Sequence, residues 1–314
     1  MAKHKFGKIG VLMGGYSSER EISLKSGKAV YQALQGQKCE VSALDIDCRD
    51  EQKIAELIRS AHMDVAFITL HGCLGEDGTI QSILEKMGVP YTGSRPEAHR
   101  LAIDKTITQK IFREHGIPIP EHKVISKDER VPINEIWNCF KGVPVIVKPA
   151  CEGSSIGVTV VREENDLQSA LDQAFQYGPY VLVERYIDGR ELTVGILNEQ
   201  ALPIVEIRPK NNFFDFTAKY QKGMSEYIVP APIPEPVARK IQTLAVRGHV
   251  ALGCRHLSRV DVILDERLNP FFLEVNTIPG FTSTSLLPMA AQCVGINFDQ
   301  LCIQLIELAY GKKE

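Results

Sequence analysis

The residues best suited to chemistry lie late in the chain, between Ser258 and Gly280. Asp261, Glu274 and Asn276 sit in two apolar, β-branched and aromatic runs, Ser258 to Leu264 and Phe271 to Asn276, on either side of a polar turn containing Asn269-Pro270. That pattern predicts a β-hairpin. Alternation along a strand puts Arg259 and Asp261 on one face and Val260, Val262 and Leu264 on the other. On the return strand it groups Phe272, Glu274 and Asn276 opposite Phe271, Leu273 and Val275. A four-residue turn, Glu266 to Asn269, sets Asp261 directly across from Glu274. Two carboxylates in an apolar hairpin are costly unless something compensates them. A hard divalent cation does so, because Asp, Glu and the Asn carbonyl all offer oxygen ligands. An ion pair between Arg259 and a carboxylate on a solvated sheet face is the alternative, and the hairpin alone is compatible with both.

A second group surrounds Lys148. Val143 to Val147 reads as an apolar strand ending in Lys148-Pro149, and the loop Cys151 to Gly157 feeds another strand, Val158 to Val161. Glycines in such a loop let backbone N–H groups approach an anion, Ser154 and Ser155 add donors, and the lysine adds charge. The order is not that of a P-loop, and an ordinary glycine-rich hairpin explains the loop equally well. Glu184 and Glu191 bracket the connection after the apolar strand Tyr180 to Val183. That segment offers backbone groups to an adenine edge and a carboxylate to a ribose; two surface glutamates are the simpler account. His71 follows a strand and precedes Gly72, which favours a polar site over a core position, whereas His249 and His256 read as structural.

These residues need elements to hold them. Lys8 to Met13, Cys39 to Leu44 and Val65 to Leu70 read as strands alternating with helices Glu19 to Leu34, Gln52 to Ser60 and Thr79 to Met87. Ser18 with Glu21 predicts a capping box for the first helix. Alternating strands and helices imply a parallel sheet with ligands bound outside the carboxyl ends of its strands. Gly14 to Ser18 and His71 to Gly78 both sit at such ends, so both should face one crevice. The pattern changes near Arg95 to Ala102, and Ile103 to His115 reads as one helix closed by Gly116. Antiparallel strands Leu192 to Leu197 and Leu202 to Ile207, a polar and aromatic loop Asn211 to Val229, and helices Glu235 to Leu252 and Phe298 to Tyr310 complete the chain.

With 314 residues, 44% hydrophobic and 24% charged, the composition is that of a globular protein of two or three domains. A net charge of −3 with no basic run gives no electrostatic case for nucleic acid or membrane. No apolar run is long enough to span a bilayer. The eight cysteines are dispersed without a CxxC pair, which points to reduced thiols in the cytoplasm. Cys151 abuts the glycine-serine loop and reads as an inert filler.

Taken in order, Gly14-Gly15-Tyr16-Ser17-Ser18-Glu19-Arg20-Glu21, His71 to Gly78, Asp104-Lys105, Val147-Lys148-Pro149, Glu152 to Gly157, Ala218-Lys219-Tyr220, Arg259-Val260-Asp261 and Glu274-Val275-Asn276-Thr277 through Gly280 resemble the ATP-grasp superfamily and, within it, the D-alanine–D-alanine ligase family. The resemblance runs through nearly the whole chain. It implies an α/β fold, α+β in its C-terminal part: a Rossmann-like parallel-sheet domain over residues 1–101, then ATP-grasp subdomains over 102–185 and 186–314. It implies that Lys105 and Lys148 hold ATP phosphates under a loop with Ser154, Ser155 and Gly157. Lys219 belongs to the same nucleotide site. Glu184 and the Ile187 backbone would meet adenine, and Glu191 the ribose. Asp261, Glu274 and Asn276 would bind two Mg²⁺ (or Mn²⁺) ions. Glu19, with His71 nearby, would hold the ammonium of the first D-alanine. Glu19, Ser154 and Tyr220 would link three loops, with tyrosine implying a dipeptide and not an ester product. Arg259 and the Gly280 N–H would form an oxyanion hole, and Ser285 and Leu286 would hold the second D-alanine carboxylate. The implied activity is ATP-dependent ligation of two D-alanines through an acyl phosphate, for peptidoglycan, in a cytoplasmic homodimer. Another ATP-grasp carboxylate–amine ligase, or a nucleotide-binding regulator without catalysis, are the alternatives. Intact Arg259, Asp261, Glu274 and Asn276 speak against the regulator.

Overall fold

The computed structural model describes residues 5–129, 131–209 and 225–311. Lys219 and Tyr220 lie outside the described residues, as does most of the Asn211 to Val229 loop; its last part, Ser225–Ile228, is a strand.

Strands β1 (Lys8–Gly14), β2 (Glu40–Ile46) and β3 (Val65–Ile68) form the expected parallel sheet, in the order β2-β1-β3. Helices α1 (Arg20–Gly36), α2 (Glu51–Ser60) and α3 (Thr79–Met87) alternate with the strands. The central strand is buried from Ile9 to Gly14, as a parallel strand covered on both faces must be. The Ser18–Glu21 capping box does not form: Glu19 occupies the N-cap position of α1 with no side-chain cap. Its carboxylate is directed instead to Ser154. The helix expected from Ile103 to His115 forms as α5 (Lys105–Glu114), and a helix not expected, α4 (Pro96–Ile103), precedes it. Asp104 divides them, because its carboxylate caps Thr106 N and Ile107 N and its extended backbone ends α4. The expected division after residue 101 thus falls inside α4.

Two antiparallel sheets follow. Strands β4 (His122–Ser126), β5 (Val145–Pro149), β6 (Thr159–Val161) and β7 (Tyr180–Arg185) pair in the order β4-β7-β5-β6. Helices α6 (Ile133–Cys139) and α7 (Leu167–Ala174) bury Ile136, Trp137, Leu167 and Leu171 in one core with Val145, Val147 and Val183. The larger sheet runs β11-β10-β8-β12-β13, with β9 (Gln200–Ala201) on β8. Its strands are β8 (Gly189–Leu197), β10 (Val205–Pro209), β11 (Ser225–Ile228), β12 (Leu257–Asp265) and β13 (Pro270–Asn276). Helix α8 (Glu235–Ala251) covers one face, with Ile241 and Ala245 against Val194, Val260 and Val262. Helices α9 (Leu286–Cys293) and α10 (Phe298–Ala309) return to the N-terminal sheet. There Phe281, Leu287 and Leu305 share a core with Val11 and Phe67. Among the described residues no single helix is long and apolar enough to cross a membrane.

The β12–β13 hairpin forms, and Asp261 pairs with Glu274 as the turn arithmetic predicted, yet by another route. Asp265 N donates to Asn269 O at 3.1 Å, so the connection is one residue shorter than expected. Leu268 adopts φ +62°, the left-handed residue that such short loops require. The lost residue is recovered by a register shift between Asp261 and Val262, where Val262 pairs with Phe272 and Leu273 is the extra residue. The facing pattern on β13 therefore needs correction. Phe272 is fully buried in the α8-side core with Val275, while Leu273 and Glu274, adjacent in sequence, both turn to the opposite face.

Candidate active site

Two cavities meet at this hairpin. The first, about 270 Å³, is walled by the loops after β1 and β3, through Tyr16 to Glu19, Gly72, Cys73 and Glu76, and by Asn276 and Thr277. Both glycine-rich loops thus face one crevice. The second, about 410 Å³, lies between the two antiparallel sheets and is walled by Lys148, Ser155, Glu184 to Ile187, Glu191, Asp261 and Leu273. Lys105, Glu152 and Glu274 line both cavities.

Asp261 is held from three directions. Thr193 Oγ1 donates to its Oδ1 at 2.6 Å, Asn276 Nδ2 to its Oδ2 at 3.0 Å, and Arg259 Nε and Nη2 to the two oxygens at 3.1 Å each. The ion pair that was the alternative reading of the hairpin is therefore present. Thr193 Oγ1 also accepts from Arg259 Nε at 3.1 Å, so one buried hydroxyl fixes both charged neighbours. Lys105 Nζ lies 3.4 Å from Glu274 Oε2, and the lysine is 7% exposed. Lys105 opens α5, whose start is fixed by the Asp104 cap.

Lys148 and Glu184 form a buried ion pair at 2.7 Å across β5 and β7. Gln109 of α5 donates its amide to the same Glu184 carboxylate. Buried charges persist only when paired and hydrogen-bonded, and this pair meets both conditions. Ile187 and Glu191 line the same cavity, with Glu191 already on β8. At the same wall burial would raise the Glu206 carboxyl, but bonds from Arg190 at 2.7 Å and Arg208 at 2.9 Å outweigh it and hold it below the usual carboxylate range. Glu152 shows the opposite balance: burial lifts it above the usual range and Lys105 only partly opposes.

The loop Cys151 to Gly157 joins the two cavities. Ser154 donates to the Glu19 carboxylate, which joins two of the three loops expected to be linked; the third, with Tyr220, is outside the described residues. Ser154 at φ +52°, Ser155 at +59° and Gly157 at +69° are left-handed, and two of these are not glycine. Strain of that kind is held only where surrounding structure imposes it, and it concentrates at ligand sites. Gly72, at φ +63°, has a backbone that favours glycine, and a Cβ there would crowd Glu19 Oε2 at 3.0 Å. Arg20 anchors the loop after β1, donating to Gly15 O at 3.0 Å and to Asp45 at 2.8 and 2.7 Å.

His71 is 4% exposed and lies 4.0 Å from Glu76, behind the wall that Gly72 and Cys73 present. Arg259, Gly280, Ser285 and Leu286 are likewise not among the lining residues of either cavity. Gly280 sits against Ser285, whose hydroxyl accepts from Thr282 N at 3.0 Å, and Leu286 opens α9. Three contributors escaped the sequence reading: Thr193, Gln109 and His99. His99 Nδ1 is 2.7 Å from Thr277 Oγ1, directly after the hairpin. No local motif marks any of them; only a contact map would have found them.

Comparison with known proteins agrees with this geometry. The family descriptions D-ala D-ala ligase N-terminus and D-ala D-ala ligase C-terminus match residues 8–53 with 49–94, and 111–307. A D-alanine–D-alanine ligase of Pelotomaculum thermopropionicum is 46% identical over 311 residues, covering 96% of each chain. That of Trichlorobacter lovleyi is 46% identical over 95% of this chain and 93% of its own. The solved D-alanine–D-alanine ligase from Bacillus anthracis complexed with ATP superposes with a TM-score of 0.84 at 32% identity, covering 97% of both chains. A D-Ala:D-Ser ligase from Enterococcus faecalis superposes with a TM-score of 0.82 at 30% identity, over 96% of this chain and 99% of that one. Two family descriptions over most of the chain and relatives at this identity and coverage place it: the chain belongs to the D-alanine–D-alanine ligase family.

Proposed function

We propose that this chain joins two D-alanine molecules at the expense of ATP, releasing ADP and phosphate, in peptidoglycan synthesis. The observation that carries this reading is the wall common to both cavities, where Lys105 lies 3.4 Å from Glu274, itself paired with Asp261. A nucleotide in the larger cavity directs its terminal phosphate to that wall, and an amino acid in the smaller one meets it from the other side. Glu184, the Ile187 backbone and Glu191 serve the base and ribose, while Lys105, Lys148, Ser155 and Gly157 serve the phosphates. Lys219 belongs to this set by sequence alone. Glu19, steadied by Ser154, receives the ammonium of the first D-alanine, with His71 behind it.

Asp261, Glu274 and the Asn276 side-chain oxygen form a hard-oxygen set on one face of the hairpin, which suits Mg²⁺ or Mn²⁺. Bound there, the ions would neutralise charge on the transferring phosphoryl group. The residues themselves do the rest. Lys105 and Lys148 offset phosphate charge, and the carboxylate of the first D-alanine is held in line for attack, giving an acyl phosphate. The amine of the second then attacks the acyl carbon. Arg259 and the Gly280 N–H are the donors for the developing oxyanion, each worth roughly 3–4 kcal/mol in such sites. For that role Arg259 turns from Asp261, and Thr193 and Asn276 keep the carboxylate in place. Ser285 and Leu286 hold the second carboxylate. An acyl phosphate hydrolyses in water, so the Cys151 to Gly157 loop must cover it. A cytoplasmic homodimer acting on small molecules completes the reading.

Phosphate release with ATP and D-alanine tests it, with L-alanine, D-serine and D-lactate as comparison substrates. D-alanine-dependent release yielding the dipeptide is expected; no release with D-alanine overturns the proposal. Glu274→Gln should abolish divalent-dependent turnover in a folded protein.

A further inference from the structure

The smaller cavity is strongly acidic. Glu19, Glu76, Glu152 and Glu274 line it, against the cations Arg49 and Lys105. Lys105 is committed at the inner end, beside Glu274 and donating to the Glu152 carbonyl oxygen. Among the described residues, Arg49 is the other cation that lines this cavity together with Glu19 and Glu76. Arg49 is exposed, in the connection between β2 and α2, and its guanidinium lies over the Tyr16 ring at 4.7 Å from the centroid. Tyr16 lines the cavity beside Ser17. Stacking restricts a side chain that otherwise samples many rotamers, and holds its charge at the mouth.

A free amino acid is a zwitterion. The carboxylates that suit its ammonium repel its carboxylate, and the repulsion is strongest in a cleft with low-dielectric walls. We propose that Arg49, held over Tyr16, is the entry site for the carboxylate of the amino-acid substrate and sets its affinity without touching the reacting atoms. This rests on the amino-acid reading of the smaller cavity. Arg49 lies outside every motif that carries the family resemblance, and the nucleotide cavity does not include it.

The test is steady-state phosphate release by the full chain at low and at high salt. Arg49→Gln should raise the KM for D-alanine roughly two- to fivefold at low salt, as for an exposed charge, and leave kcat and the KM for ATP unchanged. Arg49→Glu should raise it further. The wild-type KM should climb with ionic strength, and the Arg49→Gln variant should lose most of that dependence. Tyr16→Ala, which frees the guanidinium, should fall between wild type and Arg49→Gln. An Arg49→Gln variant with wild-type KM and salt dependence overturns the inference while wild-type turnover stands. A wild-type chain without D-alanine-dependent turnover overturns the functional reading first, and this inference with it.

Discussion

Leu273 and Glu274 are neighbours in sequence and face the same way, because the β12–β13 register slips beside Asp261. A regular strand would have turned one of them into the core. The slip lets a single strand present an apolar side chain to the larger cavity, the proposed nucleotide site, and a carboxylate to the wall that both cavities share. Leu273→Ala should therefore raise the KM for ATP roughly five- to twentyfold through lost apolar contact, with the D-alanine KM and the thermal midpoint little changed. Initial-rate kinetics with either substrate varied would check it; equal effects on both KM values would show that Leu273 is not a nucleotide contact.

Thr193 Oγ1 makes the 2.6 Å bond that fixes Asp261 and also accepts from Arg259. Thr193→Val keeps the shape and removes the hydroxyl. Partners one step behind a metal ligand typically contribute about 10–100-fold, so with Asp261 in its proposed metal-binding role the variant should need more Mg²⁺ for half-maximal turnover by about that factor. Thr193→Ser should restore most of it. An unchanged Mg²⁺ titration for the valine variant would remove Thr193 from this role.

Stability should fall on mild acidification. Burial pushes His99, His249 and His256 down to about 4 from 6.5, the last assisted by the neighbouring Arg255. Between those values the unfolded chain binds protons that the folded chain refuses, so stability is fully present above about pH 6.5 and declines toward pH 4. The loss is on the order of 3 kcal/mol for each such histidine by pH 4. Urea unfolding followed by circular dichroism at pH 7, 5.5 and 4.5 reads it directly. His249→Gln should flatten the decline relative to its own value at pH 7. A decline as steep as wild type in that variant would remove His249 from the acid sensitivity.

The fold and half of the site were legible because they depend on local period. Parallel strands showed as short apolar runs between helices, and the carboxylates showed through alternation. The Asp261–Glu274 pairing came out right through two departures from regularity that offset each other: a connection one residue shorter, and the extra Leu273. Neither carries a glycine or proline signal, so Phe272 was assigned to the wrong face. The Ser18–Glu21 box has the right letters, but Glu19 takes the cap position and Ser17 donates to His71 O at 3.0 Å. The supports of the site were not legible. Thr193 with Asp261, Gln109 with Glu184 and His99 with Thr277 are separated by 68, 75 and 178 residues, and side-chain pairs so distant leave no periodic trace.

Lys105, Glu152 and Glu274 belong to both cavities, so no partition of protein stands between the two proposed ligand sites at that point. A single molecule joining an amino-acid mimic to a nucleotide mimic by a short tether would occupy both. Once one half is seated, the other meets its cavity at an effective concentration in the millimolar range or above. The wall proposed to bring the phosphate to the carboxylate is thereby also the place where an inhibitor gains most from being one molecule instead of two.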